Sequence, residues 1–339
     1  MILLRKLLFP FAIVYGFITF LRNYLYDKGI LKSYTFEIPI IAVGNLCVGG
    51  TGKTPQIEYL IRLLSSNYKV ATLSRGYKRK SKGFVLADES SNAEVLGDEP
   101  FQYYSKFQTI QVAVDADRKN GIEQLLNQPS VPEIILLDDA FQHRKVKAGF
   151  YILLTSYDEL FCDDFMLPTG NLREYSSAAK RANLIMVTKC PSSITVTEQE
   201  KIKKAINLEV PIFFSYVSYD DTIYNDTESL LVSKVKSESK VLLAGIAKPK
   251  PFFKYLMSEA DEIMTFSDHH HFSAKDIDTI KNKAKDRIII TTEKDFVRLK
   301  AKVLKKQLFY LPIKSQMVAN QDAFNQTIIN YVGAYSRNC

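Results

Sequence analysis

Between residues 43 and 55 the chain reads Val-Gly-Asn-Leu-Cys-Val-Gly-Gly-Thr-Gly-Lys-Thr-Pro. These residue types at this spacing make a phosphate-binding loop. Gly49, Gly50, Thr51 and Gly52 let the backbone curl until its N–H groups point at phosphate oxygens, Lys53 adds a full charge, and the Thr54 hydroxyl can hold Mg2+. Cys47 stands where the first glycine of the G-x-x-x-x-G-K-[ST] pattern belongs. The flanks supply the context the pattern needs, with an apolar run from Ile38 to Val43 before it and helical spacing after it (Ile57, Leu60, Ile61, Leu64). Pro55 in the first helical turn costs no hydrogen bond.

Further chemistry lies downstream. Ile134-Ile135-Leu136-Leu137-Asp138-Asp139 is an apolar strand ending in two carboxylates, and beside a phosphate loop such carboxylates hold the metal on a nucleotide, directly or through water. Gly97-Asp98-Glu99-Pro100 enters a helix, as an acidic helix start with proline at N1 also would. Asp268-His269-His270-His271 holds three of the 4 histidines. A histidine beside an aspartate suits proton handling better than metal binding, which needs a ligand from elsewhere. Thr292-Glu293-Lys294-Asp295 follows a strand, at the end where α/β sites are built.

The elements that must position these residues alternate. Strand-like runs at 38–43, 70–74, 84–87, 109–114, 133–138, 150–155 and 184–188 are separated by helical patterns near 54–65, 100–104, 118–126 and 197–206. Apolar strands alternating with helices predict an α/β fold, a mostly parallel sheet with helices on both faces. The character shifts near 212, where Pro211–Tyr219 and, later, Gln307–Ile313 read as long strands able to pair as a ribbon around a smaller α/β unit. The expected organisation is an N-terminal helix at 1–30, a nucleotide-binding core at 31–211, a smaller α/β unit with ribbon linkers at 212–317, and a closing helix at 318–339 that packs back on the core.

The composition is that of an ordinary globular protein, 46% hydrophobic and 24% charged over 339 residues. The 4 cysteines are scattered without C-x-x-C spacing, which argues against a zinc site or a disulfide framework. The net charge of +8 fits an anionic membrane or a phosphorylated ligand, and no nucleic-acid motif or basic helix interleaved with aromatics accompanies it. Basic residues cluster at 75–82 and flank the apolar run Leu7–Phe20. That run reaches about 21 Å as a helix, short of the roughly 30 Å hydrocarbon core, and no small-x-small cleavage site follows it. A helix lying in the membrane interface is the expectation.

Taken together these pieces resemble the tetraacyldisaccharide 4'-kinases of lipid A synthesis. The resemblance runs through Val43–Pro55, Ser-Arg-Gly-Tyr (74–77), Gly-Asp-Glu-Pro (97–100), Asp-Asp-Ala-Phe-Gln-His (138–143), Leu-Pro-Thr-Gly-Asn-Leu-Arg-Glu (167–174), Ala-Gly-Ile-Ala-Lys-Pro (244–249), Asp-His-His (268–270) and Thr-Glu-Lys-Asp (292–295). Ala140, Thr169, Asn171 and Ala247-Lys248 depart from the expected pattern without removing a catalytic group. The resemblance implies a P-loop kinase-like fold, ATP as phosphate donor, Mg2+ as metal and, as acceptor, the 4'-hydroxyl of an acylated glucosamine disaccharide 1-phosphate. It also implies attachment to the cytoplasmic face of the bacterial inner membrane, peripheral or monotopic. By the same resemblance Asp98 is the base for the sugar hydroxyl and His269 its partner, with Lys53 the third catalytic group. Thr54, Asp138, Asp139 and Glu174 are implied as metal-side residues, and Arg75, Asn45, Gln142, His143 and Arg173 as substrate contacts. A membrane-associated switch ATPase is the alternative, since its loop is similar, but it carries a lysine where this chain has Val48. Nothing in the residues sets an oligomeric state, and a monomer is compatible with them.

Overall fold

The computed structural model describes residues 5–268, 270–300, 302–303 and 306–336. The chain begins with helix α1 (Phe9–Asp27), then strand β1 (Ile40–Asn45), helix α2 (Lys53–Leu64), β2 (Val70–Ser74) and the short β3 (Val85–Leu86). Helices α3 (Ala93–Leu96) and α4 (Asp98–Lys106), β4 (Gln111–Val114), α5 (Arg118–Leu126), β5 (Ile134–Asp138), β6 (Phe150–Ser156), β7 (Leu184–Thr188), α6 (Val196–Ile206) and β8 (Ile212–Tyr219) follow. Next come β9 (Thr222–Tyr224), β10 (Ser229–Leu231), α7 (Val232–Val235), β11 (Val241–Ala244), α8 (Lys250–Leu256), β12 (Glu262–Thr265) and α9 (Ala274–Ala284). The chain closes with β13 (Ile289–Thr292), α10 (Glu293–Leu299), β14 (Leu308–Leu311), β15 (Ile313–Met317) and α11 (Gln321–Ser336).

Nine strands form one sheet in the order β15-β8-β7-β6-β1-β5-β2-β4-β3. All neighbours are parallel except the two edge pairs, β15 with β8 and β3 with β4. Alternate residues of each strand point to opposite faces. On one face Ile41, Val43, Ile134, Leu136 and Ile152 pack under Ile57, Leu60, Ile61 and Leu64 of α2 and under Phe324, Ile328 and Val332 of α11. On the other, Ala71, Leu73 and Ile135 meet Ile122 and Leu125 of α5, while Leu153, Ile185 and Val187 join a cluster with Ile202 and Ile206 of α6 and Ala12 of α1. Helices therefore cover both faces, as the alternating pattern predicts. The chain passes from β1 to β2 through β5 on one side, then returns to β6, β7 and β8 on the other. The order reverses at β1, and its carboxyl end is where such a sheet opens a ligand crevice.

Six strands form a second sheet in the order β10-β9-β14-β13-β11-β12. The strand expected at Gln307–Ile313 is divided. Leu308–Leu311 lies parallel to β13 in this second sheet, and Ile313–Met317 pairs with Tyr219–Ser215 in the first. Pro312 has no N–H to continue a ladder, so the chain changes sheets there. The ribbon is thus β8 with β15, and it is continuous with the large sheet, because Ile212–Phe214 also pairs with β7.

Helix α1 inverts the usual amphipathic arrangement. Its small residues Ala12, Gly16 and Thr19 are buried, and Phe9, Phe11, Ile13, Val14, Phe17, Ile18 and Phe20 are each more than half exposed. Gly16 is required by close approach, since a Cβ there would lie 2.3 Å from the Tyr175 hydroxyl. Among the described residues no helix is long and apolar enough to cross a membrane.

Candidate active site

The phosphate loop closes at Gly52, which has φ +82° in the left-handed region and caps the N-terminus of α2. Two contacts from β7 brace it: Thr188 Oγ1 donates to Thr51 O at 2.8 Å, and Lys189 Nζ donates to Gly50 O. Lys189 escaped the sequence reading. Its signal is its place one residue beyond the carboxyl end of β7, the same rule that marks Asp139.

Lys53 Nζ donates to Asn45 Oδ1 at 3.4 Å and lies 3.5 Å from Asp139 Oδ1. Arg173 reaches the same two partners from a distant loop. Its guanidinium is bidentate on Asp139, at 3.2 and 3.1 Å, and also donates to Asn45 Oδ1 and, at 3.3 Å, to Cys47 O. Asp139 adopts φ 48°, which turns its carboxylate toward both cations. Burial pushes the Asp139 carboxyl up, but Lys53 and Arg173 outweigh it and leave it below its ordinary value. Gln142 Nε2 donates to Asn45 O at 2.8 Å, pinning the loop after β5 to the end of β1. Asn45, Lys53, Asp139, Gln142 and Arg173 thus meet in one place.

Asp138 is different. It is buried, Ser74 Oγ and Tyr103 OH approach its Oδ2 at 3.4 Å each, and its Oδ1 has no hydrogen-bond partner. Burial, reinforced by Asp139, pushes its carboxyl up to about 6. An orphaned carboxylate oxygen at the start of a phosphate-loop helix fits a hard divalent cation, which takes one or two protein carboxylates and fills its sphere with phosphate oxygens and water. Thr54 belongs to the same neighbourhood, since the Tyr103 hydroxyl interacts with both Thr54 and Asp138.

Glu174 does not belong to this set. The structure buries it completely under α1, where its Oε2 accepts from Asn23 Nδ2 at 2.6 Å and Arg181 Nη2 at 3.0 Å, with Arg22 at 3.7 Å from Oε1. These contacts tie it to the N-terminal helix, and its Oε1 has no hydrogen-bond partner. Arg75 lies near Arg118, whose Nη2 donates to Asp138 O at 3.3 Å. Arg75 is exposed and lines a recess of about 490 Å3 with Lys78, Arg79 and Lys82. Burial first, then Arg118, holds the His143 ring below its ordinary pKa, and its Nδ1 has no partner.

Asp98 is the first residue of α4, and Tyr103 of the same helix touches Asp138, so α4 carries the proposed base alongside the metal-side carboxylate. His269 lies outside the described residues. Its neighbour Asp268 lies 3.8 Å from Lys294 Nζ, which also meets Glu99 at 3.3 Å. The loop preceding His269 and the start of α4 are therefore brought together by one lysine. His270 is occupied elsewhere, with its Nε2 at 3.1 Å from Asp276 Oδ2 beside the N-cap of α9. Among the described residues no three histidine, cysteine or acidic side chains gather as a metal cage.

The family model for tetraacyldisaccharide-1-P 4'-kinase matches residues 4–333. The chain belongs to this family. A Flavobacterium johnsoniae protein named tetraacyldisaccharide 4'-kinase is 65% identical over 97% of this chain and 98% of its own. One of the same name from Bacteroides thetaiotaomicron is 45% identical over 99% and 95%. Among solved structures, the LpxK protein of Aquifex aeolicus, crystallised in complex with ATP, superposes with a TM-score of 0.80 at 32% identity, over 97% of this chain and 99% of that one. Family and fold are thus those the ordered motifs imply.

Proposed function

We propose that this protein transfers the γ-phosphoryl group of ATP to the 4'-hydroxyl of an acylated glucosamine disaccharide 1-phosphate. The observation that carries the reading is the meeting of Lys53, Asn45, Asp139 and Arg173 at the carboxyl end of β1, with the open oxygen of Asp138 beside them. Such transfer depends on in-line positioning and charge neutralisation more than on covalent help. Backbone N–H groups of Gly49–Thr54 and the Lys53 ammonium hold the β- and γ-phosphates. Arg173, held flat against Asp139, offers a preorganised cation at the same place. Thr54 and Asp138 would hold Mg2+, which supplies further neutralisation of phosphate charge when bound. Asp139, gripped by two cations, serves to place them.

Asp98 takes the proton from the 4'-hydroxyl as the new P–O bond forms and the bond to the β–γ bridging oxygen breaks, releasing ADP. His269 is its partner in orientation and proton transfer. The exposed apolar side of α1 supports residence on the cytoplasmic face of the bacterial inner membrane, where an acylated acceptor resides.

Incubation with γ-labelled ATP, with and without the lipid disaccharide, tests the reading. Label appearing in lipid, dependent on acceptor, is the expected result. ATP hydrolysis with no labelled lipid would favour a nucleotide switch instead.

A further inference from the structure

Helices α4 and α10 pack against each other, and ionic contacts join them at both ends of α4. Lys106, the last residue of α4, meets Glu293, the first of α10, at 2.5 Å; Asp98, the first of α4, meets Arg298 near the end of α10. Glu99 and Lys294 make a contact of 3.3 Å between them. Lys106 also meets buried Glu58 of α2 at 2.7 Å, so α10 is tied to the helix that begins at Lys53. Val297 of α10 packs against the Leu96–Phe101 cluster under the same helix pair.

Arg298 is itself fixed from behind. Its Nη1 lies 3.6 Å from Asp295 Oδ1, and Asp295 is buried, accepting from Gly245 N and Thr292 Oγ1, each at 2.8 Å. Its side chain is 12% exposed, too little for a freely solvated surface arginine. The planar guanidinium thus spans from a buried carboxylate on its own helix, α10, to Asp98 on α4. A flexible ammonium could not hold both in one geometry.

We infer that Arg298 is a positioning residue for the reaction: it fixes the orientation of the Asp98 carboxylate toward the acceptor hydroxyl. This rests on the reading of Asp98 as the base. Arg298 makes no contact with Lys53, Asn45, Asp139 or Arg173, so its role is separable from ATP binding.

The test measures kcat and KM for ATP in the full-length protein, in vesicles carrying the lipid acceptor, for Asp98→Ala, Arg298→Ala and Arg298→Lys. Arg298→Ala should lower kcat about 10- to 100-fold, the scale of misplacing a reacting group by an ångström, with KM for ATP within about twofold. Arg298→Lys should recover part of the loss, and millimolar guanidinium should raise the turnover of Arg298→Ala but not of Asp98→Ala. If Asp98→Ala abolishes turnover while Arg298→Ala stays within about twofold of the parent, the inference is wrong and the base assignment stands. A loss in Arg298→Ala that guanidinium and lysine both fail to relieve, with KM for ATP rising in parallel, would assign Arg298 to folding and overturn the positioning role. Unchanged turnover in Asp98→Ala would remove the base assignment itself.

Discussion

The two halves of the site are assembled in opposite ways. The half proposed to grip phosphate comes almost wholly from one sheet and the helix after its central strand: Asn45 ends β1, Lys53 begins α2, Asp138 ends β5 and Asp139 follows it. The half proposed to handle the proton joins two helices, with Asp98 on α4 and its ionic partner Arg298 on α10, 200 residues apart in the chain. The first half rests on consecutive strand ends and is built by folding one layer. The second exists only while α10 lies on α4, so it can be lost without disturbing the first.

The sharpest break in that comparison is Lys53→Ala. Removing a preorganised cation from a transferring phosphoryl group costs about a hundred- to a thousandfold in turnover. Half of the parent rate at saturating ATP would show that the phosphate half is not assembled around Lys53. Next comes Asp98→Ala, which should lower kcat by at least about a hundredfold with ATP affinity retained, as calorimetry with a nonhydrolysable analogue would read. His269→Ala combined with it should be little worse than Asp98→Ala alone, because residues acting as a unit are not additive. Additive losses would separate the two side chains.

A third test leaves both halves intact and moves the membrane side. Replacing Phe11, Phe17 and Ile18 of α1 with serine removes exposed apolar surface without touching the buried side at Ala12, Gly16 and Thr19. Binding to anionic vesicles should fall by about a thousandfold or more if all three insert, and by at least about tenfold if only one does, since each such side chain contributes roughly 1.5–3 kcal/mol when buried. Nucleotide affinity should not change. Undiminished vesicle binding would move the anchor elsewhere. These substitutions are cleaner than deleting the helix, which would bare the charge of Glu174.

A smaller effect concerns the buried carboxyl of Asp138. Its pKa is raised by burial and by Asp139 to about 6, so in the nucleotide-free protein its ionisation disfavours folding. The stability associated with its neutral form is present below about pH 4 and is lost as pH rises through about 6. Asp138→Asn should therefore raise Tm by a few degrees at pH 7.5, with the gap closing at pH 4. An equal gap at both values would place the carboxyl outside this linkage. Least of all, Lys248→Ala removes an exposed contact with Glu159 of 2.9 Å and should shift stability by less than about 1 kcal/mol in urea titration.

The legibility of the two halves in sequence follows the same division. A strand, a glycine-rich turn and an apolar helical face are local patterns, and each of Ile57, Leu60, Ile61 and Leu64 is buried as its spacing predicts. Asp138 and Asp139 could be read because a strand end is local too. Arg298 and Lys106 could not, since each acts on a partner over 30 residues away in the chain and no spacing records it. Glu174 is tied to α1 while its neighbour Arg173 faces the phosphate loop. Adjacent residues share a motif but project in opposite directions, and only the seat made by Asn23, Arg22 and Arg181 tells them apart. The second long strand failed at Pro312 for a similar reason: a continuous apolar run can serve two sheets when one residue cannot donate.

That opposition of Arg173 and Glu174 has a mechanical consequence. Two successive residues clamp the phosphate loop on one side and the N-terminal helix on the other, and Tyr15 adds a hydrogen bond of 3.1 Å from that helix to the Arg173 carbonyl. The helix is a handle welded to the tool, not a tether. A molecule whose α1 lies in a bilayer surface therefore keeps its phosphate loop at a constant height and tilt above the lipid. Its search for an acceptor becomes a two-dimensional glide at fixed attitude.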